Sequence, residues 1–70
     1  MQKWEYRILI DSGFDPDTRR CAYRQDGTLT SGRTDSFVDV LNEAGQQGWE
    51  VIAASSGEEG TTCVLKRPLK

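Results

Sequence analysis

The sequence predicts a small α+β domain, in which antiparallel strands form a sheet and one helix packs on one face of it. Two observations predict this class. Aromatic and aliphatic side chains alternate with polar ones near both ends of the chain, as in half-buried strands. Between these segments, apolar residues recur at the spacing of a helix. Because the chain has only 70 residues, we expect a single domain that spans residues 1–70.

The first predicted strand runs from Lys3 to Ile10. Its aromatic and β-branched side chains alternate with polar ones, which is typical of a strand with one buried face. We therefore expect Trp4, Tyr6 and Ile8 to lie under the helix. The following segment, residues 11–18, combines a glycine and a proline with three aspartates and is predicted to be a loop.

A polar hairpin is predicted next. The pair Asp26-Gly27 separates two segments of strand character, residues 20–25 and 28–33. Aspartate and glycine both tolerate the positive φ angles of a type I′ turn, whose twist matches that of a two-stranded ribbon. The polar composition of both strands places this hairpin at an edge of the sheet.

The helix is predicted to begin near residue 36. Ser36 can cap its first turn, with Asp39 completing a capping-box pattern, and Thr34 is a competing cap. Gly48 suits the left-handed residue that follows a helix. The apolar stripe on this helix consists of Phe37, Val40, Leu41 and Ala44.

Two further strands complete the order β-ββ-α-β-β. Residues 49–55 alternate again, residues 56–60 form a polar hairpin loop, and residues 61–67 form the last strand. Pro68 is predicted to end that strand, because proline has no N–H to donate.

This face assignment leaves apolar side chains without cover. If Trp49 and Val51 also lie under the helix, the opposite face carries Leu9, Ile52 and one of Val64 or Leu65. A contiguous apolar patch on a bare sheet usually marks an interface. We therefore expect a homodimer or a larger ring.

The composition argues against metal and cofactor sites. The chain has no histidine and two cysteines, which are too few ligands for a zinc or transition-metal site. Cys21 and Cys63 are interpreted as buried, reduced small hydrophobes, and a single disulfide between them is the alternative.

The sequence also argues against an enzyme. Without histidine, no serine or cysteine has its usual base. Glu5 and Glu50 each follow a tryptophan and could form a catalytic carboxylate pair. Because Arg7 shares their predicted face, cross-strand ion pairing is the preferred interpretation.

Two further classes of partner are not expected. The longest apolar run, residues 8–10, is far too short to cross a membrane, and no segment resembles a signal peptide, so we expect a cytoplasmic protein. The net charge of −2 argues against nucleic-acid binding, since polyanion binders carry a basic excess.

Three phrases resemble a known family. "KWEY", "LNEAGQQGWEVIAA" and "VLKRP" occur in this order in short prokaryotic and phage proteins of the DUF 4177 type, a domain-of-unknown-function family. The resemblance covers about two-thirds of the chain and excludes residues 11–35. It implies a small sheet-and-helix fold, and it supplies no activity or catalytic residues.

Residues 11–35 contain the predicted ligand site. Basic side chains interleaved with an aromatic one can grip phosphates and stack on a base, and a loop entering a helix can bind an anion. We expect an anionic or nucleotide-like small molecule at a subunit interface, as in phage proteins that sequester nucleotide signals. The ordinary interpretation is that nearby aspartates pair with these arginines. The predicted ligand-binding residues are Arg20, Tyr23, Arg24, Arg33 and Thr34.

The rival function is a protein–protein adaptor that uses an exposed sheet face or edge strand.

Overall fold

The computed structural model of the protein describes residues 1–58 and 60–69. These residues form one helix and a five-stranded antiparallel sheet with the order β3-β2-β1-β5-β4, which confirms a small α+β fold. No helix among them is long and apolar enough to cross a membrane. The elements are β1 (Lys3–Asp15), β2 (Arg20–Gln25), β3 (Thr28–Ser31), α1 (Phe37–Gln46), β4 (Glu50–Gly57) and β5 (Gly60–Leu69).

β1 is longer than predicted, because part of the expected loop continues the strand. The register of β1 against β2 shifts between Asp11 and Gly13, where Gly13 has a φ of 95°. A bulge of this kind absorbs one extra residue and lets pairing continue beyond it. The prediction of a loop over residues 11–18 was therefore wrong for residues 11–15, and the reversal is confined to the segment that follows.

The polar hairpin has the predicted turn. Asp26 and Gly27 have φ angles of 51° and 91°, and β3 ends at Ser31, two residues before the predicted end. The turn is also attached to β1. Asp26 Oδ1 accepts a hydrogen bond from the Ile8 N–H at 2.9 Å, and the Asp26 N–H donates to the Ile8 carbonyl at 3.0 Å.

Thr34 organises the start of α1. Ser36 is the N-cap residue, and its side chain makes no capping hydrogen bond. Instead, the Thr34 hydroxyl donates to Asp39 Oδ2 at 2.6 Å and accepts from the Ser36 N–H at 3.1 Å. The predicted capping box between Ser36 and Asp39 is therefore wrong, and Thr34, the competing candidate, supplies the side-chain contacts.

The end of α1 follows the prediction. Gly48 has a φ of 91°, which is the left-handed conformation that ends many helices. Its N–H donates to the Gly45 carbonyl at 3.0 Å, and the Trp49 N–H donates to the Ala44 carbonyl at 3.1 Å. This pair of bonds is a Schellman motif, and it directs the chain from the helix into β4.

Pro68 lies inside β5, paired with Trp4 of β1, so the prediction that it ends the strand was wrong. The pairing of β4 with β5 stops at Glu50 and Lys66. Beyond that point β5 has a neighbour on one side only, within the described residues. A proline whose nitrogen faces the vacant side removes no ladder hydrogen bond.

The hairpin between β4 and β5 depends on Gly60. The predicted loop over residues 56–60 is shorter in the structure, since β4 extends to Gly57, and Glu59 lies outside the described residues. Gly60 has a φ of 115°, and a Cβ atom there would collide with the Asp11 carbonyl. Only glycine satisfies both constraints.

We therefore expect Gly60→Ala to lower the free energy of unfolding by about 2 kcal/mol or more, since it adds left-handed strain to a backbone collision. Gly57→Ala is the matched control in the same hairpin, because Gly57 has open space around it. Urea unfolding followed by circular dichroism measures both variants. Equal midpoints for the two would contradict this role of Gly60.

The core shows that the faces of β1 are reversed relative to the prediction. Leu9 is 1% exposed, whereas Trp4, Tyr6 and Ile8 are 40%, 61% and 45% exposed. Their side chains lie on the side of the sheet away from the helix, and Val51 is also exposed. The buried cluster between helix and sheet consists of Leu9, Cys21, Val40, Ala44, Trp49, Cys63 and Leu65.

Both cysteines are buried and unpaired, as the preferred interpretation expected. Cys63 pairs with Leu9 on one side of β1, and Cys21 pairs with Phe14 on the other. Their Cα atoms are therefore at least two strand spacings apart, about 9.6 Å, and they are further offset along the strands, so the disulfide limit of about 7 Å is exceeded. Burial raises the pKa of both thiols above the ordinary 9.0, and the Asp11 carboxylate adds to the effect.

We expect this pKa shift to make the stability of the fold decrease in alkali. Because the folded state holds the thiol protons more tightly, their contribution to stability is intact below the unfolded pKa of about 9 and is lost as the pH rises through the folded pKa. We expect the urea midpoint to fall more between about pH 8 and pH 11 than it does in the variant Cys21→Ala/Cys63→Ala. Parallel pH profiles for the two proteins would contradict this origin.

Candidate functional site

The structure distributes the predicted ligand residues over both faces of the sheet. Tyr23 lies on the helix side, where its ring packs against Phe37 at a centroid distance of 6.4 Å. Arg24, the next residue of β2, is exposed and pairs with Ile10 of β1. Arg20 is exposed at the start of the same strand. Because Arg20 and Arg24 are four residues apart in one strand, they share the face away from the helix.

Arg33 and Thr34 lie beside the helix instead. Arg33 Nε is 3.1 Å from Glu43 Oε1, and Thr34 is engaged with the start of α1. Both residues line a depression of about 330 Å³ along one side of the helix, together with Asn42 and Gln46. The five predicted residues therefore do not converge within one chain, and their role in ligand binding stays a prediction.

The two glutamates of the alternative catalytic pair are separated. Glu5 pairs in register with Arg67, and its Oε1 accepts a hydrogen bond from Arg67 Nε. Glu50 pairs in register with Lys66, whose Nζ is 3.9 Å from Glu50 Oε1. Because Lys66 and Arg67 are consecutive in β5, the two carboxylates project to opposite faces of the sheet. Each has a basic cross-strand partner, and neither partner is the predicted Arg7.

The apolar surface of the sheet lies on the face away from α1, which we call the open face. In the register of β1 and β5, Tyr6 lies beside Lys66 and Ile8 beside Val64. The ammonium of Lys66 is 4.1 Å from the centroid of the Trp4 ring. The open face comprises Trp4, Tyr6, Ile8 and Ile10 of β1, Val64, Lys66 and Pro68 of β5, and Ala53 of β4.

The helix side carries a cation–aromatic cluster around Trp49. The Arg7 and Arg67 guanidinium carbons lie 4.6 and 4.4 Å from the centroid of its ring. Arg67 also donates from Nη1 to the carbonyl of Gln47 at 3.0 Å. Arg67 therefore joins the end of α1 to β5, while the Trp49 ring lies against both cations.

Acidic groups balance this cluster. Glu5 accepts a hydrogen bond from Arg67, and Asp26 Oδ2 is 3.5 Å from Arg7 Nε. A cavity of about 590 Å³ opens beside the cluster, lined by Glu5, Gln47, Gly48, Arg67, Pro68 and Leu69. Since Arg67 and Glu5 connect the end of α1 to the sheet, we interpret the cluster as structural.

Neither the open face nor the cluster around Trp49 was predicted with the residues that form it. The sequence did contain a signal for the cluster, because Glu5, Arg7 and Arg67 lie at alternate positions that share a face with Leu9 and Leu65.

Comparison with protein-family models, with curated proteins and with solved structures finds no match to this chain.

Proposed function

We propose that the protein is a non-catalytic homo-oligomeric binding module whose open face binds a second copy of the chain. The observation that carries this proposal is the exposure of large apolar side chains on β1. Tyr6 is 61% exposed, Ile8 45% and Trp4 40%. Aromatic residues concentrated in one apolar patch are typical of the energetic centre of an interface.

The size of the surface supports the same proposal. The chain exposes 5130 Å², whereas a compact monomer of its 7.9 kDa would expose about 4400 Å². The radius of gyration is 12.5 Å, against about 11 Å for a compact domain of this length. The excess of about 700 Å² approaches the area that each partner buries in a standard interface.

The charges of the open face also suit a symmetric dimer. Lys66 and Glu50 have opposite signs and lie at cross-strand positions beside the apolar centre. A two-fold axis through that centre brings the same patch of both copies together. Polar side chains at the rim of an apolar centre are the usual anatomy of such interfaces.

The ligand part of the proposal follows from Arg20 and Arg24. Both lie on the face that would meet the second copy, beyond the apolar centre. In a symmetric dimer, arginines of two subunits would border the interface and could bind an anionic or nucleotide-like molecule. The resemblance to phage and prokaryotic proteins of the DUF 4177 type is compatible with such a role, although it assigns no ligand.

Calorimetric titration with a panel of cyclic oligonucleotides and ADP-ribose derivatives tests the ligand part. We expect heat from at least one member, and loss of that heat in Arg20→Ala/Arg24→Ala. Replacement of Arg19, an exposed neighbour in the turn, by alanine is the matched control. Absence of heat across the panel would contradict the proposed ligand class without affecting self-association.

The rival proposal is an adaptor that uses the open face to bind a different protein. Native mass spectrometry of protein purified from its own host distinguishes the two, because it reports stoichiometry and any bound small molecule together. A homodimer supports our proposal. A one-to-one complex with another polypeptide favours the adaptor.

A further inference from the structure

The outer edge of β4 is a second surface that the fold leaves unpaired. The sheet order places β4 and β3 at its two edges, and β4 pairs only with β5 among the described residues. β3 has four residues, whereas β4 has eight, all of them exposed. Short edge strands limit pairing with other chains, and long exposed ones invite it.

The composition of β4 lacks the usual protection of an edge. Residues 51–57 contain no charged residue and no proline, which are the features that block strand addition in natural sheets. Ala53 to Gly57 are all small, so another backbone can approach closely. The one irregularity is the register shift between Val51 and Ala53, which limits the regular edge to residues 53–57.

From these features we infer that β4 pairs with β4 of a second copy in antiparallel orientation, centred on Ser55, and so joins two sheets into one of ten strands. Two-fold symmetry perpendicular to the sheet requires one residue to face its own copy. Centring on Ser55 pairs Ala53 with the partner's Gly57 and keeps the irregular segment outside. It also leaves Glu58 opposite an uncharged residue.

Alternative centres fit less well. Centring on Ala54 would place Glu50 opposite the partner's Glu58, and like charges at directly opposed positions are destabilising. Centring on Ala53 would bring the register shift into the middle of the pairing. A second copy suits this edge because its uncharged segment matches itself. The inference does not depend on the open face, since strand pairing uses backbone groups at the rim of the sheet.

Disulfide trapping tests this inference. We expect Ser55→Cys to form a disulfide-linked dimer under mild oxidation at least about tenfold faster than Thr18→Cys, because pairing raises the local thiol concentration. Thr18 is an exposed turn residue, and the native cysteines are buried in both variants. Non-reducing electrophoresis measures the rates, and circular dichroism verifies folding.

A second variant distinguishes pairing through β4 from association through the open face. Ser55→Cys combined with Ile8→Glu removes the apolar centre of the open face and leaves β4 intact. Fast trapping in both backgrounds supports pairing through β4, whether or not the open face self-associates. Trapping no faster than for Thr18→Cys, or trapping that disappears with Ile8→Glu, overturns it.

Discussion

Trp49→Ala is expected to destabilise the protein severely and to lower its melting temperature. The ring is 6% exposed and contacts both Arg7 and Arg67, and truncation of a buried tryptophan costs about 3–5 kcal/mol. A domain of 70 residues has a total stability of about 3.5–10 kcal/mol. The loss therefore removes between about a third and all of the free energy of unfolding. Thermal denaturation followed by far-ultraviolet circular dichroism measures the effect.

The second tryptophan is the matched control for this experiment. Trp4 is 40% exposed on the open face, so Trp4→Ala removes the same side chain without emptying the core. We expect Trp4→Ala to retain the circular dichroism spectrum and, at high dilution, most of the melting temperature. Trp49→Phe should have an intermediate stability, because a smaller ring still fills part of the site. A melting curve for Trp49→Ala equal to that of the wild type would contradict the proposed role of the cluster.

Ile8→Glu is expected to abolish self-association while leaving the monomer folded. Ile8 lies beside Val64 at the centre of the open face. An isologous interface would bury the new charge twice, without a partner. We expect the dimer dissociation constant to rise at least about 100-fold, which corresponds to about 2.7 kcal/mol. Size-exclusion chromatography with light scattering measures this change.

Val38→Glu controls for the change in charge. Val38 is 61% exposed on the helix. Val38→Glu therefore introduces the same charge at an exposed apolar residue that lies away from the open face. We expect this variant to associate like the wild type. If both substitutions weakened association equally, net charge would be the cause, and the open face would not be the interface.

The elements of the fold were predictable because their signals are local. The spacing of apolar residues predicted the helix. Asp26 predicted the turn between β2 and β3, and Gly48 predicted the end of α1, both with the observed positive φ angles. Two errors had a physical reason beyond local sequence. β1 accommodates Ser12 as an extra residue in a bulge, and β5 tolerates Pro68 because β4 has already ended beside it.

The faces of β1 were not predictable from alternation alone. The strand is apolar on both sides near its middle, so Ile8 and Leu9 compete for the core. Counting aromatic side chains favoured the face of Trp4 and Tyr6, yet the helix covers Leu9. The decision depends on β5, where Cys63 and Leu65 share the face of Leu9. That register is a long-range property, which no window of the sequence contains.

The positions of the predicted ligand residues also depend on strand pairing that a sequence window does not contain. Tyr23 and Arg24 are adjacent in sequence and were grouped for that reason, although neighbours in a strand project to opposite faces. Arg33 was grouped by proximity and instead pairs with Glu43 on the helix. Only Arg20 and Arg24 keep a common face, and the ligand proposal now depends on them.

Sedimentation equilibrium of the Ser55→Lys variant tests the central claim most directly, because a lysine at the edge of β4 disfavours strand pairing and leaves the open face unchanged. The account predicts a mass that rises with concentration from 7.9 kDa to about twice that value, and that returns to the monomer mass when Ile8→Glu is added. A mass that stays at the monomer value up to about millimolar concentration would contradict self-association through the open face.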